Sequence, residues 1–151
     1  MKRSLPKQLY IEIVVALYVL LFLYTAIMKF RDIPFFIGSI SHTPVLRPYA
    51  TLLAGMIPAM EIAIAILLII PRTRHYGLLT GTGLMGIFTL YVAFILATME
   101  ELPCSCGGVL QQLNWKEHLV LNSGFLLAGI LACYWNKHFI MINRSSRTPV
   151  I

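Results

Sequence analysis

Apolar residues fall into four long runs along the chain, separated by shorter polar segments. The runs cover residues 9–28, 49–70, 77–98 and 118–135. Each is 18 to 22 residues long, and a helix needs about 20 residues to cross the ~30 Å hydrocarbon core of a bilayer. Spans of this kind must be helical, because every backbone polar group has to be satisfied within the segment. The pattern predicts an all-α integral membrane protein, with residues 1–151 forming one bundle of four transmembrane helices.

The composition excludes the soluble and the disordered classes of protein. Of the 151 residues, 58% are apolar and 12% are charged, and the mean hydropathy is +0.79. A soluble domain of this length could not bury so much apolar surface. Disorder requires low hydrophobicity together with high charge. A lipid bilayer is therefore the expected environment.

The basic residues predict the orientation of the bundle. The net charge is +6, which in a soluble protein would suggest a nucleic-acid partner. Eight lysines and arginines lie in the two termini and the second connection, and four lie in the first and third connections. The four are Lys29, Arg31, Arg47 and Lys116. Because cytoplasmic segments are enriched in lysine and arginine, the pattern predicts that both termini are cytoplasmic and that no nucleic acid is bound.

The connections between the spans differ in content. The first, residues 29–48, contains an apolar stretch at 33–37 that predicts a short helix along the outer interface. The second is a tight turn. The third, residues 99–117, holds Cys104 and Cys106 among proline and glycine residues, which predict an irregular loop.

Cys104 and Cys106 are the sharpest chemical feature of the sequence. On the predicted topology they face the extracytoplasmic side, where disulfides form and persist. Their Cα atoms lie at most about 7 Å apart, so a disulfide can close, but in a small strained ring. Because strained, exposed disulfides are the labile or catalytic ones, we predict a catalytic thiol–disulfide exchange pair. A structural disulfide and half of a metal site are the alternatives, and no metal is expected, since only His118 and His42 remain as further ligands on that side.

The start of the fourth span carries polar side chains on one face. Trp115, His118 and Asn122 lie about one helical turn apart, next to the cysteine loop. A histidine there can assist a catalytic thiolate or carry its proton. The alternative is that His118 and Asn122 bond to neighbouring helices. Trp115 has the position of a structural interface aromatic.

Two carboxylic acids lie inside the apolar runs. Glu61 is near the middle of the second span, where a carboxylate usually faces the bundle interior and marks function. It is predicted to be a proton site or to contact a quinone cofactor, with a structural hydrogen-bonding hub as the alternative. Pro58, three residues earlier, removes a helical hydrogen bond and predicts a kink. Glu12 lies within reach of Arg72 or Arg74 and is interpreted as half of an ion pair.

Two further features are interpreted as packing. Gly77 and Gly81 have the GxxxG spacing of close helix contacts. Those contacts lie either within the bundle or between copies of the chain in a homo-oligomer. Cys133 is near the opposite face of the bilayer from the loop cysteines and is interpreted as an inert packing residue.

These motifs together resemble the DoxX-like membrane proteins, and within them the methylamine-utilisation MauE group. The resemblance is carried by Lys29 and Asp32 after the first span, Pro58 and Glu61 in the second, and the loop Pro103–Gly108 followed by Trp115, His118 and Asn122. The loop is similar to a variant found in Bacteroidota. The resemblance covers nearly the whole chain and implies a helical bundle in the bacterial inner membrane, with Lys29 and Asp32 as structural residues.

The resemblance also implies a class of function. The MauE group is linked to the maturation of methylamine dehydrogenase, whose small subunit is rich in disulfides, together with a periplasmic thioredoxin-like partner. The leading hypothesis is therefore a redox accessory protein that acts in the maturation or transport of a periplasmic protein. The rival hypothesis is a membrane scaffold or small-solute permease, without enzymatic activity, in which the cysteine pair is a structural disulfide.

Overall fold

The computed structural model describes residues 5–98 and 115–145, and the regular elements in these ranges are all helical. A 3₁₀ turn at Arg47–Tyr49 lies between the second and third α-helices. The α-helices are α1 (Leu5–Arg31), α2 (Ile33–Ser41), α3 (Ala50–Ile69), α4 (Arg74–Thr98) and α5 (Trp115–Ser145). The predicted all-α class is confirmed.

Four of the described helices are long and apolar enough to cross a membrane. The qualifying segments are Pro6–Arg31, Arg47–Ile69, Arg74–Thr98 and Lys116–Asn136. The outside of the bundle is apolar too, since Leu20, Leu90 and Val120 are 70%, 72% and 73% exposed. Contiguous apolar surface of this kind marks contact with a membrane, because lipid tails solvate such side chains as well as a protein core does.

The four long helices close into a ring in which each contacts two neighbours. α1 packs against α3 and α5, and α4 packs against the same two helices. Large, fully buried side chains fill the centre of this ring. They include Tyr18 and Phe22 from α1, Leu68 from α3, and Leu78 and Met85 from α4.

The helices α3 and α4 come close to each other near the turn that joins them. A Cβ atom at Gly77 would lie 2.8 Å from the backbone nitrogen of Leu68, so this approach requires glycine. A Cβ atom at Gly81 would lie 3.1 Å from a ring carbon of Phe22 and 3.2 Å from a methyl carbon of Ile64. Both glycines of the GxxxG pattern therefore serve contacts inside the bundle.

The chain passes from α1 into α2 through a single capping residue. α1 ends at Arg31, three residues beyond the predicted end of the first span. Asp32 is the N-cap of α2, and its Oδ1 atom accepts a hydrogen bond from the Phe35 N–H at 3.1 Å. Pro34 stands in the first turn of α2, where a missing N–H costs no helical hydrogen bond.

The helix α2 packs against the first half of α3. Phe36 and Ile40 of α2 are buried together with Ala50 and Ala54 of α3. The short alanine side chains leave room for the larger ones of α2. The helix predicted from residues 33–37 is therefore present and longer, and it covers one end of the bundle.

Candidate functional site

Lys29 and Glu61 form an ion pair inside the bundle. The Lys29 ammonium donates to Oε1 of Glu61, and the two side chains are 9% and 1% exposed. Lys29 belongs to α1, and Glu61 belongs to α3. A charge removed from water needs a partner and hydrogen bonds, and each of these groups supplies both to the other.

This position corrects one assignment made from the charge pattern. Lys29 is a buried residue of α1, not part of an exposed outer connection. Without it, the basic residues on that side are Arg31, Arg47 and Lys116. The excess of basic residues on the side of the termini becomes larger, so the predicted orientation is unchanged. Glu61 indicates that a compensating group is needed, because a carboxylate within a membrane span requires one, but nothing in the sequence identifies Lys29 as that group.

Two phenylalanine rings flank the Lys29 ammonium. Its Nζ atom lies 5.5 Å from the ring centroid of Phe36 and 5.2 Å from that of Phe88. Phe36 comes from α2 and Phe88 from α4. Cation–π attraction in a desolvated setting contributes about 2 kcal/mol, so these rings help to hold the ammonium at the meeting point of the three helices.

The second carboxylate oxygen of Glu61 is less well satisfied. The Thr25 hydroxyl, which lines the same cavity, donates to the Phe22 carbonyl oxygen at 3.3 Å. Oε2 of Glu61 is buried and has no hydrogen-bond partner among the described residues. A buried acceptor without a partner can accept a hydrogen bond from a bound molecule.

A cavity of about 420 Å³ lies next to the ion pair. Most of its wall is apolar and comes from α1, α2, α3 and α4. The polar side chains of Lys29, Glu61, His118 and Asn122 also line it. A cavity of this size, with an apolar wall and a few convergent polar groups, is typical of a small-molecule binding site.

The helix α5 supplies two of these polar groups. Asn122 is buried and His118 is half-buried. Both side chains line the same cavity as Lys29. The structure therefore brings His118 and Asn122 together with Glu61, although the sequence places them on different helices.

The cavity reaches the outer surface of the bundle between α3 and α4. Met60 of α3 and Ile87 of α4 both line it, and they are 43% and 62% exposed. Nearer the joining turn, Gly77 and Gly81 bring the two helices into contact. The cavity therefore reaches the apolar outer surface of the bundle at residues farther from the joining turn than Gly77 and Gly81.

Several residues of the cavity were missed by sequence reasoning. Thr25, Ser39 and Tyr91 line it, and the hydroxyl groups of Tyr91 and Thr43 are 3.3 Å apart. Isolated hydroxyl residues in apolar helices carry no periodic signal, so no pattern in the sequence singled them out.

Three other residues that the sequence singled out do not line the cavity. Glu12 pairs with Arg74, one of the two arginines considered for it, at 2.6 Å between Oε1 and Nη1. Asp32 caps α2. Pro58 is fully buried, and α3 continues through it.

The two loop cysteines lie outside the described residues, as does the side chain of Trp115. Their roles stay predictions. Cys133 is half-buried, and its Sγ atom lies 3.6 Å from the Thr82 hydroxyl, as a packing residue would. Within the described part of the chain, no three His, Cys, Asp or Glu side chains converge as metal ligands.

Comparison with known proteins adds the family. The family profile of the methylamine utilisation protein MauE matches residues 7–135. This range contains the ion pair, the cavity and both loop cysteines. Searches of curated proteins and of solved structures give no significant match. The four apolar helices and the profile match together indicate a multi-pass membrane protein. The chain belongs to the methylamine utilisation protein MauE family.

Proposed function

We propose that this chain is a redox accessory protein of the bacterial inner membrane, in the branch of metabolism that its family description names, methylamine utilisation. Cys104 and Cys106 exchange disulfides with a periplasmic thioredoxin-like partner, in the maturation or transport of a periplasmic protein. Both termini of the chain are cytoplasmic in this proposal, so that the loop between α4 and α5 faces the periplasm.

The observation that supports this proposal most directly is the position of His118. It lies in the first turn of α5 and lines the cavity that also holds the Lys29–Glu61 pair. The cysteine loop joins α4 to α5 immediately before this turn. A group that can take up or release a proton therefore follows the loop in the sequence and lines a polar site in the bundle, and such a group can carry the protons that thiol oxidation releases.

The exchange balances without a further reactant. A thiolate of the reduced partner attacks one sulfur of the Cys104–Cys106 disulfide, a mixed disulfide forms, and the other cysteine leaves as a thiolate. The second thiolate of the partner then attacks the mixed disulfide. The partner is oxidised by two electrons, and Cys104 and Cys106 become thiols.

A single-turnover assay with purified protein tests the proposal. Oxidised protein in detergent is mixed with reduced bacterial thioredoxin as the probe, and the redox state of the thioredoxin is read by thiol alkylation. We expect stoichiometric oxidation by the unaltered chain and none by the Cys104→Ser/Cys106→Ser variant. The unaltered oxidised chain should accumulate the mixed disulfide on a non-reducing gel when the probe lacks its second active-site cysteine, because that probe cannot complete the exchange.

Cys133→Ser is the matched control, because Cys133 is a half-buried thiol of α5. It should oxidise thioredoxin as the unaltered chain does. Equal oxidation by the Cys104→Ser/Cys106→Ser variant would contradict the proposal.

The buried ion pair favours one second candidate, a small-solute permease. Paired charges within a membrane span mark transport pathways as well as redox sites, and Lys29 and Glu61 both line the cavity. A permease requires that Glu61→Gln abolishes solute uptake into vesicles and that the double cysteine variant retains it. The redox function requires that the double cysteine variant loses thioredoxin oxidation.

A further inference from the structure

The cavity is electrically neutral although it contains charged groups. Lys29 and Glu61 carry opposite charges and contact each other directly. A charged ligand would have to give up its hydration without finding a net counter-charge, which is costly in a low-dielectric site. The arrangement therefore selects a neutral ligand.

The pair presents a donor beside an acceptor. The Lys29 ammonium has three N–H donors, and one of them is used by Oε1 of Glu61. Oε2 of Glu61 has no hydrogen-bond partner among the described residues. A ligand oxygen at this point can accept from Lys29 as a carbonyl, and it can donate to Glu61 as a hydroxyl.

The rest of the wall suits a flat ring with an apolar chain. The Phe36 and Phe88 rings lie close to the ammonium, and aromatic faces stack on flat rings. A volume of about 420 Å³ holds a substituted ring and the start of a chain. The remainder of such a chain can leave through the opening beside Met60 and Ile87, which are exposed on the apolar surface of the bundle.

We propose that this cavity binds a lipid-soluble quinone that enters from the bilayer between α3 and α4. The ring carbonyl accepts from Lys29 when the ligand is the quinone, and the ring hydroxyl donates to Oε2 of Glu61 when it is the quinol. This inference rests on the proposed redox function, for which it names the electron acceptor.

The electrons and protons balance between the two sites. Oxidation of the Cys104 and Cys106 thiols to a disulfide releases two electrons and two protons. Reduction of the quinone to the quinol takes up two of each. His118 stands on the wall of the cavity in the first turn after the cysteine loop, where it relays a proton from a thiol to the quinone oxygen.

Binding is tested apart from thiol chemistry, in the Cys104→Ser/Cys106→Ser background. The probe is a benzoquinone with a decyl chain, titrated into the protein in detergent and followed by the thermal unfolding midpoint. We expect saturable stabilisation by this probe. Decylbenzene, which has the chain without the ring oxygens, should give none. Equal stabilisation by decylbenzene would assign the cavity to lipid chains and overturn the inference.

Variants then locate the binding site. Ile57 lines the cavity from α3 and is half-buried, so Ile57→Trp should fill it and remove the stabilisation. Ile66→Trp is the matched control, because Ile66 is an exposed residue of the same helix that does not line the cavity. Glu61→Gln keeps the side-chain shape and should weaken binding of the quinol form of the probe about tenfold, because the ring hydroxyl then loses its hydrogen bond to a charged acceptor.

The result is separable from that of the thioredoxin assay, which is a single turnover without quinone. Thioredoxin oxidation with no saturable quinone binding would overturn this inference and leave the redox function in place. Saturable binding that Ile57→Trp and Ile66→Trp reduce equally would also overturn it, since the bound quinone would then lie outside the cavity.

Discussion

The Lys29 ammonium and the Glu61 carboxylate are the buried charged groups of the described residues. Their mutual attraction is strong in a low-dielectric interior, but it has to offset the desolvation of both charges. Removing one member therefore costs much more than removing both. Phe36 and Phe88 beside the ammonium offset only part of this cost when the carboxylate is lost, because their attraction to the cation remains but is weaker than an ion pair.

The first prediction concerns this pair. Glu61→Leu leaves the ammonium buried without a counter-charge and should lower the free energy of unfolding by about 3–5 kcal/mol. Lys29→Met combined with Glu61→Leu replaces both charges by apolar groups of similar volume and should recover most of that loss. Denaturant titration of the detergent-solubilised protein measures both values.

Glu12→Leu provides the comparison at a partly exposed pair. Glu12 and its partner Arg74 have side chains that are 44% and 27% exposed, so the expected loss is about 0–1 kcal/mol. A loss from Glu61→Leu no larger than that from Glu12→Leu would show that the Lys29–Glu61 pair is solvated, contrary to its position in the bundle.

At the scale of elements, the contact between α3 and α4 depends on one missing side chain. The backbone of Leu68 occupies the place that a Cβ atom at Gly77 would need. Gly77→Ala should therefore force the helices apart and destabilise the protein by about 1–3 kcal/mol, the usual cost of overpacking. Thermal unfolding of the purified variant measures the loss.

Gly83→Ala is the control on the same helix. Apart from its chain neighbours and the nearby backbone of its own helix, nothing lies within 4 Å of a Cβ atom built at Gly83, and alanine is the better helix former by up to about 1 kcal/mol. Its unfolding midpoint should stay the same or rise. A fall as large as that of Gly77→Ala would mean that the loss at Gly77 does not arise from the α3–α4 contact.

The elements themselves were predictable to different degrees. The four spans follow from the sequence because the thickness of the bilayer fixes how long an apolar helix must be. The cap at Asp32 and the packing of α2 were not predictable, since they depend on the small residues Ala50 and Ala54 at the start of another helix. A continuous apolar stretch gives no sign of which face is buried.

The residues of the candidate site were also predictable to different degrees. Glu61 could be singled out from the sequence, because an acid in a membrane span is expensive wherever it points. Its partner could not, because a lysine near the end of a span ordinarily extends to the interface. Lys29 turns inward because α2 covers that end of the bundle, and this is a fact of tertiary structure. The cavity depends in turn on side chains from five helices, which the sequence does not place together.

At the scale of the whole molecule, the distribution of basic residues predicts the orientation. Lys29 is neutralised inside the bundle, and the bias toward the side of the termini is clearer without it. The predicted consequence is that Cys104 and Cys106 face the periplasm and form a disulfide there.

Thiol labelling of spheroplasts with a membrane-impermeant maleimide tests orientation and disulfide together. We expect labelling of Cys104 and Cys106 only after reduction, and from the outer side. Cys133, half-buried in α5, should stay unlabelled in a variant that lacks the other two cysteines. Labelling of the loop cysteines only when the cytoplasmic side is opened would reverse the topology.

The cancelling charges of Lys29 and Glu61 also determine how the bundle responds to the electric field of an energised membrane. Moving one elementary charge through 100 mV involves about 2.3 kcal/mol of work. The net charge of the pair is zero whether the shared proton resides on Nζ or on the carboxylate. The field therefore acts only on a short dipole, and the packing of this core is insulated from the membrane voltage.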